Sequence, residues 1–141
     1  MRKLLAFVLL AFALAVPAII AADDPPEDLE GIYTVIGKDV TSDYNGCAVI
    51  RKHGERYLVQ SSLVNFVDGE MKHANDLRGI GILQGDTLSV AWKNGDGVGI
   101  TVYEISKDGL RGRYTTFPGP KNISHETMKR IGPLPKSQLE I

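Results

Sequence analysis

Apolar and polar positions alternate along most of the chain in short runs, interrupted by a turn signal about every ten residues from Gly31 onward. This spacing is typical of an all-β sandwich or barrel, since βαβ units would place helical segments between the strands. The alternation is strictest in residues 87–93, where Leu88, Val90 and Trp92 share one face. The pattern predicts eight strands, at residues 31–37, 47–52, 56–66, 72–82, 87–93, 98–106, 110–115 and 122–130.

Most connections between consecutive predicted strands are short, with turn pairs such as His53-Gly54 and Asp68-Gly69. Short connections produce antiparallel neighbours, because parallel pairing requires a long crossover. Glycines two residues apart inside a strand, such as Gly79 and Gly81, favour a sheet that bends sharply. We therefore expect an antiparallel eight-stranded up-and-down meander that closes into a barrel and leaves no free edge.

The two ends of the chain carry a different pattern. Residues 1–22 begin with Arg2 and Lys3, continue with an apolar run and end in small residues, which are the features of a secretory signal peptide. The apolar run is too short for a membrane span. Residues 23–30 form an acidic, proline-bearing leader that we expect to be disordered, and residues 132–141 a loosely attached tail. The barrel domain is predicted at residues 31–131, in a protein exported to the periplasm or the extracellular space.

Composition and charge exclude several classes of partner. The formal net charge of the chain is −1 and becomes slightly more negative if Arg2 and Lys3 are removed with the signal peptide. Such weak acidity predicts no nucleic-acid partner and no anionic membrane surface. Cys47 is the single cysteine, so no intrachain disulfide is possible and the hydrophobic core must hold the domain together. Its position at the start of a predicted strand favours a small buried apolar residue over a reactive thiol.

The sequence contains no arrangement typical of catalysis or metal binding. No nucleophile elbow accompanies the histidines His53, His73 and His125. The run at residues 41–46 is similar to half of a calcium loop, but Lys52 occupies the position that requires a bidentate acid. No cysteine and histidine spacing predicts zinc. We expect no enzyme activity, no catalytic residue, no metal and no cofactor.

The aromatic residues are the candidate ligand contacts. Within the set formed by the five tyrosines and Trp92, alternation allows four to face the barrel interior: Tyr33, Tyr57, Trp92 and Tyr114. Tyrosine and tryptophan combine an apolar ring with a polar group, which suits both a packed core and a ligand cavity. Eight-stranded barrels of both kinds exist. The sequence leaves the two alternatives open, and these four are the predicted ligand-binding residues if the interior is hollow.

The order of motifs resembles a known family. Gly31-Ile-Tyr-Thr-Val opens the first strand, and the most specific stretch, from Gly79 to Trp92, reads Gly-Ile-Gly-Ile-Leu-Gln-Gly-Asp-Thr-Leu-Ser-Val-Ala-Trp. This order resembles a family of small secreted bacterial proteins, frequent in planctomycete-like genomes, of which some carry the label fibronectin-binding protein. That family usually has tryptophan where this chain has Tyr114. A more distant similarity is to avidin-like and lipocalin-like barrels, although the further tryptophans of a biotin site are missing.

Together these observations predict an exported, non-enzymatic binding module. Its ligand would be a small apolar or aromatic molecule held in the barrel mouth. The alternative is a protein–protein interaction module that binds an extracellular-matrix or envelope protein through its outer face, as the family label implies. In either case we expect no membrane span after the signal peptide is cleaved.

Overall fold

The computed structural model describes residues 28–135. The predicted signal peptide at residues 1–22, the first part of the acidic leader at 23–27 and the end of the predicted tail at 136–141 lie outside the described residues. Between residues 28 and 135 there is no helix with the length and apolar character needed to cross a membrane.

Eight antiparallel strands form a closed barrel, in which each strand pairs with its neighbour in the chain and the first pairs with the last. The predicted fold class is therefore confirmed. The strands are β1 (Gly31–Lys38), β2 (Asp43–His53), β3 (Arg56–Val67), β4 (Glu70–Gln84), β5 (Thr87–Asn94), β6 (Gly97–Ser106), β7 (Gly109–Phe117) and β8 (Ser124–Gly132).

Strand β2 begins four residues earlier than predicted, at Asp43. The sequence indicated a polar loop at this point, but the segment pairs with both β1 and β3. Its polar residues Asp43 and Asn45 are on the outer face of the sheet, which is in contact with solvent, and Tyr44 between them faces inward. The same alternation leaves Cys47 exposed on the outer face, so its interpretation as a small buried residue is wrong.

One end of the barrel interior is filled with apolar side chains. Two-residue turns connect β2 to β3, β4 to β5 and β6 to β7 at this end. Leu29, just before β1, is buried with them, although it belongs to the segment predicted as the leader; its carbonyl oxygen accepts a hydrogen bond from the Tyr33 hydroxyl at 2.7 Å. We call this end the packed half, and its buried side chains are Leu29, Tyr33, Val35, Ile50, Tyr57, Leu88, Ile105, Leu110 and Met128.

At the opposite end, two-residue turns also join β3 to β4 and β5 to β6, but the other two connections are longer. Residues 39–42 join β1 to β2, and residues 118–123 join β7 to β8. Longer connections leave the mouth of the barrel less tightly capped than a two-residue hairpin does.

Candidate functional site

The interior behind the longer connections is hollow. A cavity of about 290 Å³ lies among the inward-facing residues of this end and reaches the connections at 39–42 and 118–123. Its volume is close to the lower end of small-molecule sites, roughly 300 Å³. We call this end the open half; its main wall residues are Tyr44, Asn65, Asn75, Trp92, Thr101, Tyr103, Tyr114 and Glu126. The interior is thus packed at one end and hollow at the other.

The four predicted ligand-binding residues are divided between the two halves. Trp92 and Tyr114 line the cavity. Tyr33 and Tyr57 are only 2% and 4% exposed, lie in the packed half and do not line this cavity. Alternation along a strand predicts which face a residue occupies, but not its height along the barrel axis. Tyr33 and Tyr57 lie near the beginnings of β1 and β3, and both strands begin at the packed end.

The wall of the cavity contains a carboxylate held by two tyrosines. The Tyr44 hydroxyl donates to Glu126 Oε2 at 2.6 Å, and the Tyr103 hydroxyl donates to Glu126 Oε1. Burial, followed by the negative charge of Glu126, raises the pKa of both tyrosines well above the ordinary value, so both hydroxyls keep their protons. An ionised carboxylate has about four acceptor positions, so the two tyrosines leave Glu126 with capacity for further donors.

The register of the sheet explains how two tyrosines reach one carboxylate. Glu126 is paired with Gly37 on β1 and with Gly112 on β7. On its other side, each glycine is paired with a tyrosine: Gly37 with Tyr44 on β2, and Gly112 with Tyr103 on β6. A Cβ atom at Gly37 would collide with the Tyr44 ring, and one at Gly112 would lie 2.7 Å from Cε1 of Tyr103. The glycines therefore leave space for each ring to lie over the neighbouring strand. We call these five residues the carboxylate row.

A second hydrogen-bonded chain runs along the mouth of the cavity. Asn75 Nδ2 donates to Asn65 Oδ1 at 2.9 Å, and Asn65 Nδ2 donates to Ser42 Oγ at 2.9 Å. Ser42 Oγ donates in turn to Asp39 Oδ2 at 3.0 Å. Partial burial opposes ionisation of Asp39, but hydrogen bonds from the backbone and side chains of Thr41 and Ser42 outweigh it and lower the pKa of the Asp39 carboxyl. The mouth therefore carries a second negative charge.

Aromatic rings supply the apolar surface of the open half. The Trp92 ring lies over Gly99, where a Cβ atom would collide with it, and Trp92 Nε1 donates to Thr101 Oγ1 at 3.0 Å. The rings of Tyr44 and Tyr114 meet edge to face, with centroids 6.3 Å apart. Rings fixed in this way present a preformed apolar wall beside the carboxylate.

Cations are scarce in this wall. The described residues that line the cavity include Asp39, Glu126 and His73, but neither lysine nor arginine. Glu126 takes part in no ion pair with a side chain of residues 28–135. Across that same range, no three side chains of histidine, cysteine, aspartate or glutamate come together as a metal site would require. The open half offers hydrogen-bond acceptors, aromatic faces and negative charge.

Sequence reasoning missed the carboxylate row. Tyr44 falls in the segment predicted as a loop, and Tyr103 was outside the four interior aromatic residues. Glu126 was not among the predicted site residues, although the sequence contains a usable signal. Glu126 lies two residues before Met128, so both side chains face the barrel interior from strand β8.

Comparisons with known proteins add little. No family model matches the chain, and no curated protein matches it at a significant level. Among solved structures, the fatty-acid-binding protein isolated from Manduca sexta is similar, with 12% sequence identity, coverage of 72% of this chain and 98% of that chain, and a TM-score of 0.44. A likeness at this level carries no information about the ligand of this chain. The resemblance to a secreted bacterial family stays a prediction.

Proposed function

We propose that this protein is a non-enzymatic binding module that takes a small ligand with an apolar or aromatic body into the open half of its barrel. One observation carries the proposal: the interior, filled at one end, is hollow at the other, and aromatic rings and polar groups converge on the hollow. Small-molecule sites typically combine such apolar walls with a few fixed polar groups.

The packed half would serve this function by keeping the cavity preformed. Strands that contribute buried side chains to the packed half continue into the open half, so the cavity walls extend from a rigid base. A preformed site binds more tightly because less conformational freedom is lost when the ligand enters. Entry would occur past residues 39–42 and 118–123.

Fluorescence titration tests the proposal, because the single tryptophan of the chain, Trp92, lines the cavity. A neutral aromatic probe such as 2-phenylethanol should change its emission with saturation. Ser61 lines the cavity, so the ring of Ser61→Phe should occupy part of the ligand space and weaken binding at least about tenfold, whereas Ser62→Phe on the outer face of the same strand should not. Saturable binding that is insensitive to Ser61→Phe would place the ligand elsewhere and contradict the proposal.

Export belongs to the same proposal. The signal-peptide features of residues 1–22 support a mature protein that begins near Asp23 in the periplasm or outside the cell. N-terminal sequencing of protein from its native host tests this, and recovery of Met1 would contradict it. Native mass spectrometry of the same material should show a retained small molecule.

The alternative, binding of another protein through the outer face, has one observation in its favour. Exposed apolar side chains lie on β4, β6 and β7, among them Ile82, Ile100 and Phe117; β6 and β7 are neighbours, and β5 lies between β4 and β6. Contiguous exposed apolar surface is typical of interaction sites. Ile100→Lys separates the two functions, since it should abolish binding of a protein partner and leave the Trp92 titration unchanged.

A further inference from the structure

No lysine, arginine or histidine of residues 28–135 forms an ion pair with Glu126, and the nearby Arg111 and Arg113 lie on the outer face of the neighbouring strand β7. Two tyrosine hydroxyls donate to the Glu126 carboxylate, but neither carries a positive charge, and no lysine or arginine lies among the described residues of the cavity wall. Glu126 is half-buried, and a carboxylate that is partly withdrawn from water gains stability from pairing with a cation.

The carboxylate row shows that this negative charge is structurally supported. Two strand positions, Gly37 and Gly112, are open enough for the Tyr44 and Tyr103 rings to reach Glu126 from both sides. This arrangement fixes the orientation of the carboxylate and leaves part of its acceptor capacity unused. A fixed anion with unused acceptor capacity in a cavity wall matches a ligand that brings donors and positive charge.

The remaining wall suits the same ligand. Rings of Tyr44, Tyr103, Tyr114 and Trp92 share the cavity with Glu126. Aromatic faces attract cations through the negative face of the ring, most strongly where water is excluded. Asp39 at the mouth adds a second negative charge along the entry route, which would raise the local concentration of cations.

We propose that the ligand of the open half is an organic ammonium ion with an apolar or aromatic body, and that Glu126 is its charge partner. This inference rests on the proposed function and narrows its ligand class. A carboxylate or phosphate ligand is disfavoured, because it would enter a wall that holds Glu126 and Asp39 and offers no lysine or arginine among its described residues.

Three probes of similar size and different charge test the inference: 2-phenylethylammonium, neutral 2-phenylethanol and anionic 3-phenylpropanoate. Binding to the full-length mature protein is followed by Trp92 emission at fixed low ionic strength. The ammonium ion should bind about tenfold or more tightly than the alcohol, which corresponds to one hydrogen bond to a charged group. The anion should bind more weakly than the alcohol.

A matched pair of variants assigns the preference to one residue. Glu126→Gln removes the charge and keeps the size, with one acceptor oxygen left for one of the two tyrosines. It should abolish the preference for the ammonium ion over the alcohol. Glu104→Gln removes the same charge from the exposed outer face of β6 and should preserve the preference. Near-ultraviolet circular dichroism verifies that each variant is folded. If a variant does not fold, the comparison of the three probes on the wild-type protein still tests the charge of the ligand.

The outcomes separate this inference from the proposed function. Equal binding of the ammonium ion and the alcohol, or tightest binding of the anion, would overturn the assignment of a cationic ligand; the binding function would stand if Ser61→Phe blocked the probe that binds. A preference for the ammonium ion that survives Glu126→Gln would overturn the role of Glu126. Absence of binding by all three probes would contradict the inference and the proposed function together.

Discussion

The two halves of the barrel share the same eight strands and differ in the connections between those strands and in the side chains that the strands turn inward. Strand β6 shows the difference along one chain segment: its inward positions, from the packed to the open end, are Ile105, Tyr103, Thr101 and Gly99. On this strand the inward side chains become smaller toward the open end. A single strand can therefore contribute to a filled core at one end and to a hollow site at the other, depending on the size of its inward-facing residues.

The chemistry of the two halves differs as well. The packed half is almost entirely apolar, and side chains such as Leu88 and Ile50 are completely buried there. The open half places Asn65, Thr101 and Glu126 in the same inward orientation, which lowers the apolar area it can bury. We infer that the packed half supplies most of the stability and that the open half gives up stability for polar groups able to contact a ligand.

The largest expected effect is a difference between two identical truncations. Leu88→Ala removes a fully buried side chain in the packed half and should lower the free energy of unfolding by about 3–5 kcal/mol. Leu63→Ala should cost only about 2 kcal/mol, because Leu63 borders the cavity and has fewer packed neighbours to lose. Urea unfolding measures both. Equal losses would mean that the open half is packed as well as the other half.

Gly112→Ala tests whether the carboxylate row depends on missing side chains. The new methyl group would press on the Tyr103 ring, pushing its hydroxyl away from Glu126, and such overpacking should cost about 1–3 kcal/mol. Gly132→Ala is the control, since a Cβ atom there meets nothing within 4 Å. If the two variants had the same free energy of unfolding, the close contact between the Tyr103 ring and Gly112 would not contribute to stability.

Alkaline pH should weaken the barrel through the tyrosines of the row. Burial, and then the charge of Glu126, raises the pKa of Tyr44 and Tyr103 above 10.0. Above pH 10 the unfolded chain therefore loses protons that the folded chain retains. The contribution to stability is complete below pH 10 and declines as pH rises, by about 1.4 kcal/mol per pH unit for each tyrosine.

Urea unfolding on both sides of pH 10 measures this decline, and Tyr103→Phe provides the comparison. The variant lacks one ionisable hydroxyl, so its stability should fall less steeply with pH, by about 1.4 kcal/mol per unit. Tyrosinate absorbance should likewise show that ionisation of the native protein is delayed until it unfolds. Identical slopes for both proteins would show that Tyr103 ionises freely in the folded state.

Much of the fold could be predicted from local sequence, because strand alternation and turn chemistry act over a few residues. The inward face of Leu88, Val90 and Trp92 and turns such as Asp68-Gly69 belong to this class. The start of β2 was missed because Asp43 and Asn45 are typical turn residues. Only pairing with β1 on one side and β3 on the other makes them a strand.

The candidate site was far less predictable. A cavity exists only where side chains from all eight strands fail to fill one level of the barrel, and that level depends on the register between distant strands. Tyr33 and Trp92 are equivalent by alternation, yet one is in the packed half and the other lines the cavity. The carboxylate row around Glu126 likewise requires four strand pairings to coincide, two through Gly37 and two through Gly112.

The smallest effect is also the most direct probe of the open half. Trp92 faces the interior but is only partly buried, and its ring shares the cavity with Glu126. In a filled core, no quencher would reach it. In a hollow, negatively charged site, the neutral quencher acrylamide and the cation caesium should reduce its emission more than the anion iodide, because the wall repels anions.

Glu126→Gln should reduce the difference between quenching of Trp92 by caesium and quenching by iodide. Glu104→Gln on the outer face should leave this difference unchanged. Quenching by iodide as strong as by caesium would show that the surroundings of Trp92 carry no net negative potential.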